Sequence, residues 1–255
     1  KTLSTEPLAP RQPHFAPKAK RIIYLFMAGA PSHLELFDNK PALTKYDGTL
    51  PPAELLKGYR AAFINPNSAL LGPKFKFARH GQSGAELSEL LPHLASVCDD
   101  VCFVKSMATD AFNHAPGQIL MNTGNMNFGR PSLGAWVSYG LGSLNRNLPA
   151  FVVMPDHRGF ASNGPKNWDS AFLPTQHQGT ILRPGSANPI EDLFPAKQGD
   201  FISAKSGRAS MDMLKALNQK HLQRSDGDTR LEARIQSYVL AARMQLAAPE
   251  AMDIS

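Results

Sequence analysis

Three groups of polar side chains stand just behind hydrophobic runs, and their types could do chemistry. Ser32, His33, Glu35 and Asp38 follow residues 21–27, Asp110 and His114 follow residues 101–105, and Asp156 and His157 follow residues 149–154. Carboxylates and imidazoles together suit a divalent cation such as Zn, Ca or Mg. Asp38, His33, Glu35, Asp110 and Asp156 are therefore the candidate metal ligands. A histidine also moves protons, which makes His114 a candidate catalytic residue. Ser32 is a candidate nucleophile, with Thr109 a further hydroxyl nearby. Arg79, His80 and Arg130 could hold an anion, the arginines through guanidinium forks. Each residue has a plainer reading. Asp38 can cap the turn after Phe37, the arginines can form surface ion pairs, and His114 can bond loop backbone. Asp110 and His114 are four apart, a spacing that joins them only on a helix.

Positioning these groups falls to the hydrophobic runs. Arg-Ile-Ile-Tyr-Leu-Phe-Met at 21–27 is apolar without alternation, the pattern of a strand buried on both faces of a parallel sheet. Residues 101–105 and 149–154 read as two more such strands, and 74–79 as a short one. Helical spacing of Leu87, Leu90, Leu91, Leu94 and Val97 predicts a helix over 86–97, with Ser83 and Glu86 as its capping box. Further helices are predicted at 115–122, with Pro116 in the first turn and a stop at Thr123-Gly124, and at 131–141, opened by Pro131. Residues 211–223 and 229–247 complete the helices. Trp136 and Tyr139, three apart, read as core. The alternation of strand and helix predicts a layered α/β fold with a mostly parallel sheet. Sites in such folds lie past the carboxyl ends of the strands. The Gly/Pro/Asn-rich stretch 159–199 reads as a loop lying over a site. Residues 1–20, with Pro7, Pro10, Pro13 and Pro17, read as an extended arm, leaving 21–255 as a single α/β domain.

Composition excludes several classes. Of 255 residues, 42% are hydrophobic and 19% charged, enough apolar material for a core and too much for wholesale disorder. The net charge of +6 comes from scattered residues rather than a basic block, so no nucleic-acid partner is expected. No apolar run approaches the roughly 18 residues of a membrane span; the longest, 22–30, fits a strand. Cys98 and Cys102 match neither a redox nor a zinc spacing and read as buried free thiols. The first residue is Lys1 rather than Met, as after removal of a leader or in a piece of something longer.

Four blocks carry a family resemblance. They are the string from Arg21 to Pro41, Phe-Ala-Arg-His-Gly-Gln-Ser-Gly (77–84), Gly-Arg-Pro-Ser-Leu-Gly-Ala-Trp-Val-Ser-Tyr-Gly-Leu-Gly (129–142) and Asn-Leu-Pro-Ala-Phe-Val-Val (147–153). From about residue 18 onward the chain resembles the bacterial family called domain of unknown function 1501, which is grouped with alkaline phosphatases and sulfatases. The resemblance implies a three-layer α/β/α sandwich with a mostly parallel sheet, alkaline-phosphatase-like and incomplete at the carboxyl end. It also implies export behind a twin-arginine leader, and a chain that is the N-terminal part of a longer domain, with further metal ligands beyond Ser255. Sulfatases carry Cys/Ser-x-Pro-Ser-Arg-x-x-x-x-Thr-Gly at a helix start, and His114-Ala-Pro-Gly-Gln-Ile-Leu-Met-Asn-Thr-Gly124 keeps the Pro and the Thr-Gly. His114 then occupies the nucleophile position, and Gly117-Gln118 that of Ser-Arg. A helix start there would offer N–H groups and a positive dipole end to an anion. Histidine cannot become formylglycine, and Gly29-Ala-Pro-Ser lacks the usual acidic ligands after the first strand. Two functions follow as expectations. One is metal-assisted hydrolysis of a small sulfated or phosphorylated ester. The other is a non-catalytic exported binding or scaffold protein that keeps the fold without the nucleophile.

Overall fold

The computed structural model describes residues 8–29, 31–58, 65, 67–191, 193–194, 203–224 and 229–253. The first seven residues of the expected arm, Ala30 of the first apolar run, and parts of the 159–199 loop lie outside them. The chain divides into two compact units, one of Gly29–Thr109, the other of Lys1–Ala28 with Asp110–Ser255.

Within Gly29–Thr109 the helices are short: α1 (His33–Leu36), α2 (Pro41–Lys45), α3 (Ala53–Leu56) and α4 (Pro92–Ser96). Strands β1 (Phe77–His80) and β2 (Ala85–Ser88) pair antiparallel from Phe77↔Ser88 to His80↔Ala85. The helix predicted over 86–97 is thus split. Its first part is β2, whose Leu87 and Ser88 are buried, and only the part after Pro92 is helical. Proline has no N–H for a helix interior but fits a first turn, so Pro92 starts α4 rather than continuing an earlier helix. Ser83, the expected cap, sits in the hairpin turn. Asp99, in the 3-10 turn Cys98–Asp100, accepts the N–H groups of Gln82 (2.9 Å) and Ser83 (2.8 Å). These bonds hold its carboxyl below the usual range. Gly81 (φ 63°) lies so close to Asp99 and Cys98 that a Cβ there would meet both side chains.

The other unit holds α5 (His114–Thr123), α6 (Leu133–Leu141), β3 (Val152–Val153), β4 (Thr180–Ile181), α7 (Ala204–Arg224) and α8 (Thr229–Met252). Two 3-10 helices, Gly164–Trp168 and Thr175–His177, lie between β3 and β4. β3 and β4 pair parallel, continued by Thr180 N–H to Phe151 C=O (2.9 Å) and Leu182 N–H to Val153 C=O (2.8 Å). α6 approaches the start of this pair so closely that a Cβ on Gly134 would lie 2.5 Å from the Phe151 ring. Leu193, Met244 and Ala248 form a core cluster with Leu148 and Ile190 against it. From the arm, Arg11 N–H bonds Leu141 C=O (2.9 Å), and Ser143 N–H bonds Leu8 C=O (2.8 Å).

Two of the three expected core strands form no ladder. Residues 21–27 are not part of a sheet, with Ile23 and Leu25 both 84% exposed, and residues 101–105 likewise carry no strand pairing. The third is β3, two residues long. A both-faces-buried strand needs covered faces and neighbouring strands, and among the described residues even β3 has a single partner, β4.

Candidate functional site

Asn113 sets the start of α5. It is extended (φ −138°, ψ 167°), and its side chain accepts the Ala115 N–H, a standard N-cap for the helix that His114 begins. The Gly117 N–H goes to Asn113 C=O (3.1 Å), and Pro116 has none to offer. The first turn therefore presents fewer donors than the sequence suggested, since Asn113 takes the Ala115 and Gly117 N–H groups. His114 is exposed. Asp110 is also exposed, but it precedes the helix, so the four-residue spacing does not place it a turn from His114.

Gln118 lies one turn after His114 on the same face of α5 and is 7% exposed, with no hydrogen-bond partner for its Oε1. The 3-10 helix Gly164–Trp168 packs against α5, tied by Asn163 Nδ2 to Ala115 C=O (2.8 Å). Asn167 of that helix donates from Nδ2 to Ser162 C=O (2.8 Å) and Gly164 C=O (3.2 Å), and its Oδ1 is unmet. Ser132, before α6, has a buried Oγ in the same condition. Asn163 (φ 71°) and Ala171 (φ 47°), left-handed without being glycine, flank this stretch.

The other predicted residues are placed as follows. Asp38 lies at the end of α1, and Lys40 Nζ sits 2.8 Å from its carboxylate. Lys40 first, then the charges of His33 and Lys105, holds that carboxyl low. His33 and Asp38 are thus brought together, and His33 C=O also accepts the Asp38 N–H (2.8 Å). Glu35 turns to the Lys74 N–H (3.2 Å), and Ser32 precedes α1 without capping it. Arg79 and His80 lie on β1, Arg79 opposite Glu86. Arg130 is exposed before α6. Asp156 follows β3 and is gripped by Arg158, Nε to Oδ1 at 2.9 Å and Nη2 to Oδ2 at 3.0 Å. That fork and the Arg158 N–H push its carboxyl far below the normal range. Among the described residues, no three His, Cys, Asp or Glu side chains could hold a metal ion. Cys98 and Cys102 are free thiols as expected, but only Cys98 is buried; Cys102 is exposed. No helix among the described residues is long and apolar enough to cross a membrane.

Sequence reasoning missed a buried pair. His177, 1% exposed, holds Ser138 Oγ at 2.9 Å from its Nδ1, and Tyr139 packs edge-on against its ring at 5.3 Å. Burial, with the Arg11 charge adding, pushes His177 down to about 4. Both groups are too buried to meet a substrate, and the pair reads as a packing element. Its histidine comes from an irregular stretch with no periodicity to flag it. Gln118 entered the sequence reading only as part of the Gly117-Gln118 pair standing where the sulfatase pattern has Ser-Arg.

A family model described as Protein of unknown function (DUF1501) matches residues 19–255. No curated protein and no solved structure matches the chain.

Proposed function

Because the chain belongs to the DUF1501 family of unknown function, we propose a reaction that the family description leaves open: hydrolysis of a small anionic ester, phosphate or sulfate, beside His114. The observation that carries this reading is the start of α5, a capped ten-residue helix whose first residue is an exposed histidine. The same face holds a buried, unpartnered glutamine oxygen one turn on. The alkaline-phosphatase and sulfatase kinship, the three-layer α/β/α sandwich, and export to the periplasm or beyond belong to this reading.

A divalent ion would polarise the ester and acidify an attacking water. The candidate ligands among the described residues do not fit a resident one: Lys40 occupies the Asp38 carboxylate and Arg158 both oxygens of Asp156. The reading therefore gives the proton work to His114. Its imidazole takes the proton of a water attacking the phosphorus or sulfur, and the leaving alcohol oxygen takes a proton as its bond breaks. Arg130, in the same unit as His114, remains the candidate for holding the anion's charge.

A second reading is favoured by those occupied carboxylates: a binding or scaffold protein that keeps the anion site without turnover. Hydrolysis of 4-nitrophenyl phosphate and sulfate, followed with and without added Zn, Mg or Ca, separates the two. Turnover lost in His114→Ala supports the hydrolase. Calorimetric anion binding without turnover supports the second reading. Neither turnover nor anion binding would remove both.

A further inference from the structure

The positive charge looks scattered along the sequence, yet one helix gathers most of the excess. α7 carries five Lys or Arg (Lys205, Arg208, Lys215, Lys220, Arg224) against one acidic residue, Asp212, a net +4 of the chain's +6. All five cations are exposed, and none makes an ion pair among the described residues. One face of α7 leans on α8: Met211, Leu214 and Asn218, three and four apart, line a groove with Ile235, Val239 and Ala242. None of the described α7 side chains is buried. The far side is a second stripe at the same spacing, Ala209, Met213, Ala216, Leu217, Lys220 and Arg224, all exposed. Met213 is 66% exposed and Leu217 54%. Two large apolar side chains thus stand in water, one turn apart, with cations before, between and after them.

Three anionic partners can be compared. A nucleic acid would use the cations and leave Met213 and Leu217 idle, and α7 has no aromatic ring on which a base could stack. An acidic protein groove takes a helix by a full apolar stripe, and the apolar stripe of α7 already faces α8. An anionic bilayer surface uses both features: its headgroups meet the cations, and the apolar pair enters the boundary between headgroups and acyl chains. We propose that α7 is a membrane-docking helix that lies along an anionic lipid surface through Met213, Leu217, Lys220 and Arg224. Such a helix rests on the bilayer and does not span it. The surface is independent of the ester reading.

The test is co-sedimentation of the whole chain with vesicles of phosphatidylcholine, alone or with about one third phosphatidylserine, at about 0.1 M salt. Partitioning onto the anionic vesicles should be stronger by about a hundredfold, from three or more cations at about fivefold each. Lys220→Gln with Arg224→Gln should weaken it about twentyfold. Met213→Gln with Leu217→Gln keeps unbranched, helix-forming side chains and should weaken it about tenfold. Ile23→Thr with Leu25→Thr, outside α7, should leave it unchanged. Equal partitioning onto both kinds of vesicle overturns the proposal, and so does anionic binding that survives loss of Lys220 and Arg224. Loss of binding in the Ile23 and Leu25 variant moves the contact to residues 21–27 and overturns it too. If the Met213 and Leu217 variant binds like wild type and a DNA duplex competes the vesicles away, α7 is a nucleic-acid face and the lipid assignment falls. Every substituted side chain is exposed, and circular dichroism checks that each variant keeps its helices; the wild-type comparison of the two vesicles decides without them.

Discussion

Residues 21–27 and residues 113–181 belong to one unit, and both are rich in apolar side chains, yet they end in opposite environments. Ile119, Ala135 and Trp168 are buried, whereas Ile22, Ile23, Leu25 and Met27 are more than 60% exposed. The later region has partners: a capped α5, a parallel pair of short strands, and side chains such as Asn163 that tie neighbours together. The earlier one has the same β-branched character and no ladder. Apolar content supplies the drive to be buried, and only neighbours with matching hydrogen bonds let it act.

The sharpest way to break this contrast is a matched pair of truncations. Ile119→Ala should lower unfolding free energy by about 3 kcal/mol, while Ile23→Ala should change it by less than about 0.5 kcal/mol. Both are read by denaturant titration, and similar losses would mean that 21–27 is buried in solution. Next in size, Gly134→Ala drives a methyl into the Phe151 ring and should cost about 1–3 kcal/mol. An unchanged melting temperature would show that α6 and β3 do not pack as described.

Acid gives the third effect. His177 titrates near 4 in the folded chain against about 6.5 when unfolded. Between those values the unfolded chain binds a proton that the folded one refuses. Stability from this group is complete above pH 6.5, falls as pH drops toward 4, and loses nothing further below. The melting temperature should decline across that window, and His177→Leu should flatten the decline if the burial is as described. The smallest effect on stability comes from Ile23→Thr with Leu25→Thr, but these changes should reduce self-association, measured by sedimentation velocity at several concentrations. Exposed apolar segments of this kind favour association. A wild-type chain that stays monomeric would argue against that role.

Local signals were legible where a single turn decides the outcome. The start and stop of α5 around Pro116 and Gly124, the helix ending before Gly142, and the two long helices near the carboxyl end all follow from residue type. The helix expected over 86–97 fails because Ala85 and Leu87 alternate with Glu86 and Ser88, a spacing that also fits a strand, and Pro92 starts the helix anew. At the candidate site, His114 was visible as a polar residue after an apolar run. The ion pairs of Asp38 and Asp156 with Lys40 and Arg158 involve bases only two residues away, so they could have been weighed from sequence. The orphaned oxygens of Gln118 and Asn167 could not.

By itself the sequence determined the breaks, the free thiols and the family. The tertiary structure decided which apolar runs are buried, which carboxylates are already neutralised, and that His177 and Ser138 meet across 39 positions. The physical reason is range. A cap or a proline acts on its own turn, whereas burial and an unmet hydrogen bond depend on what packs alongside, and those neighbours come from distant parts of the chain.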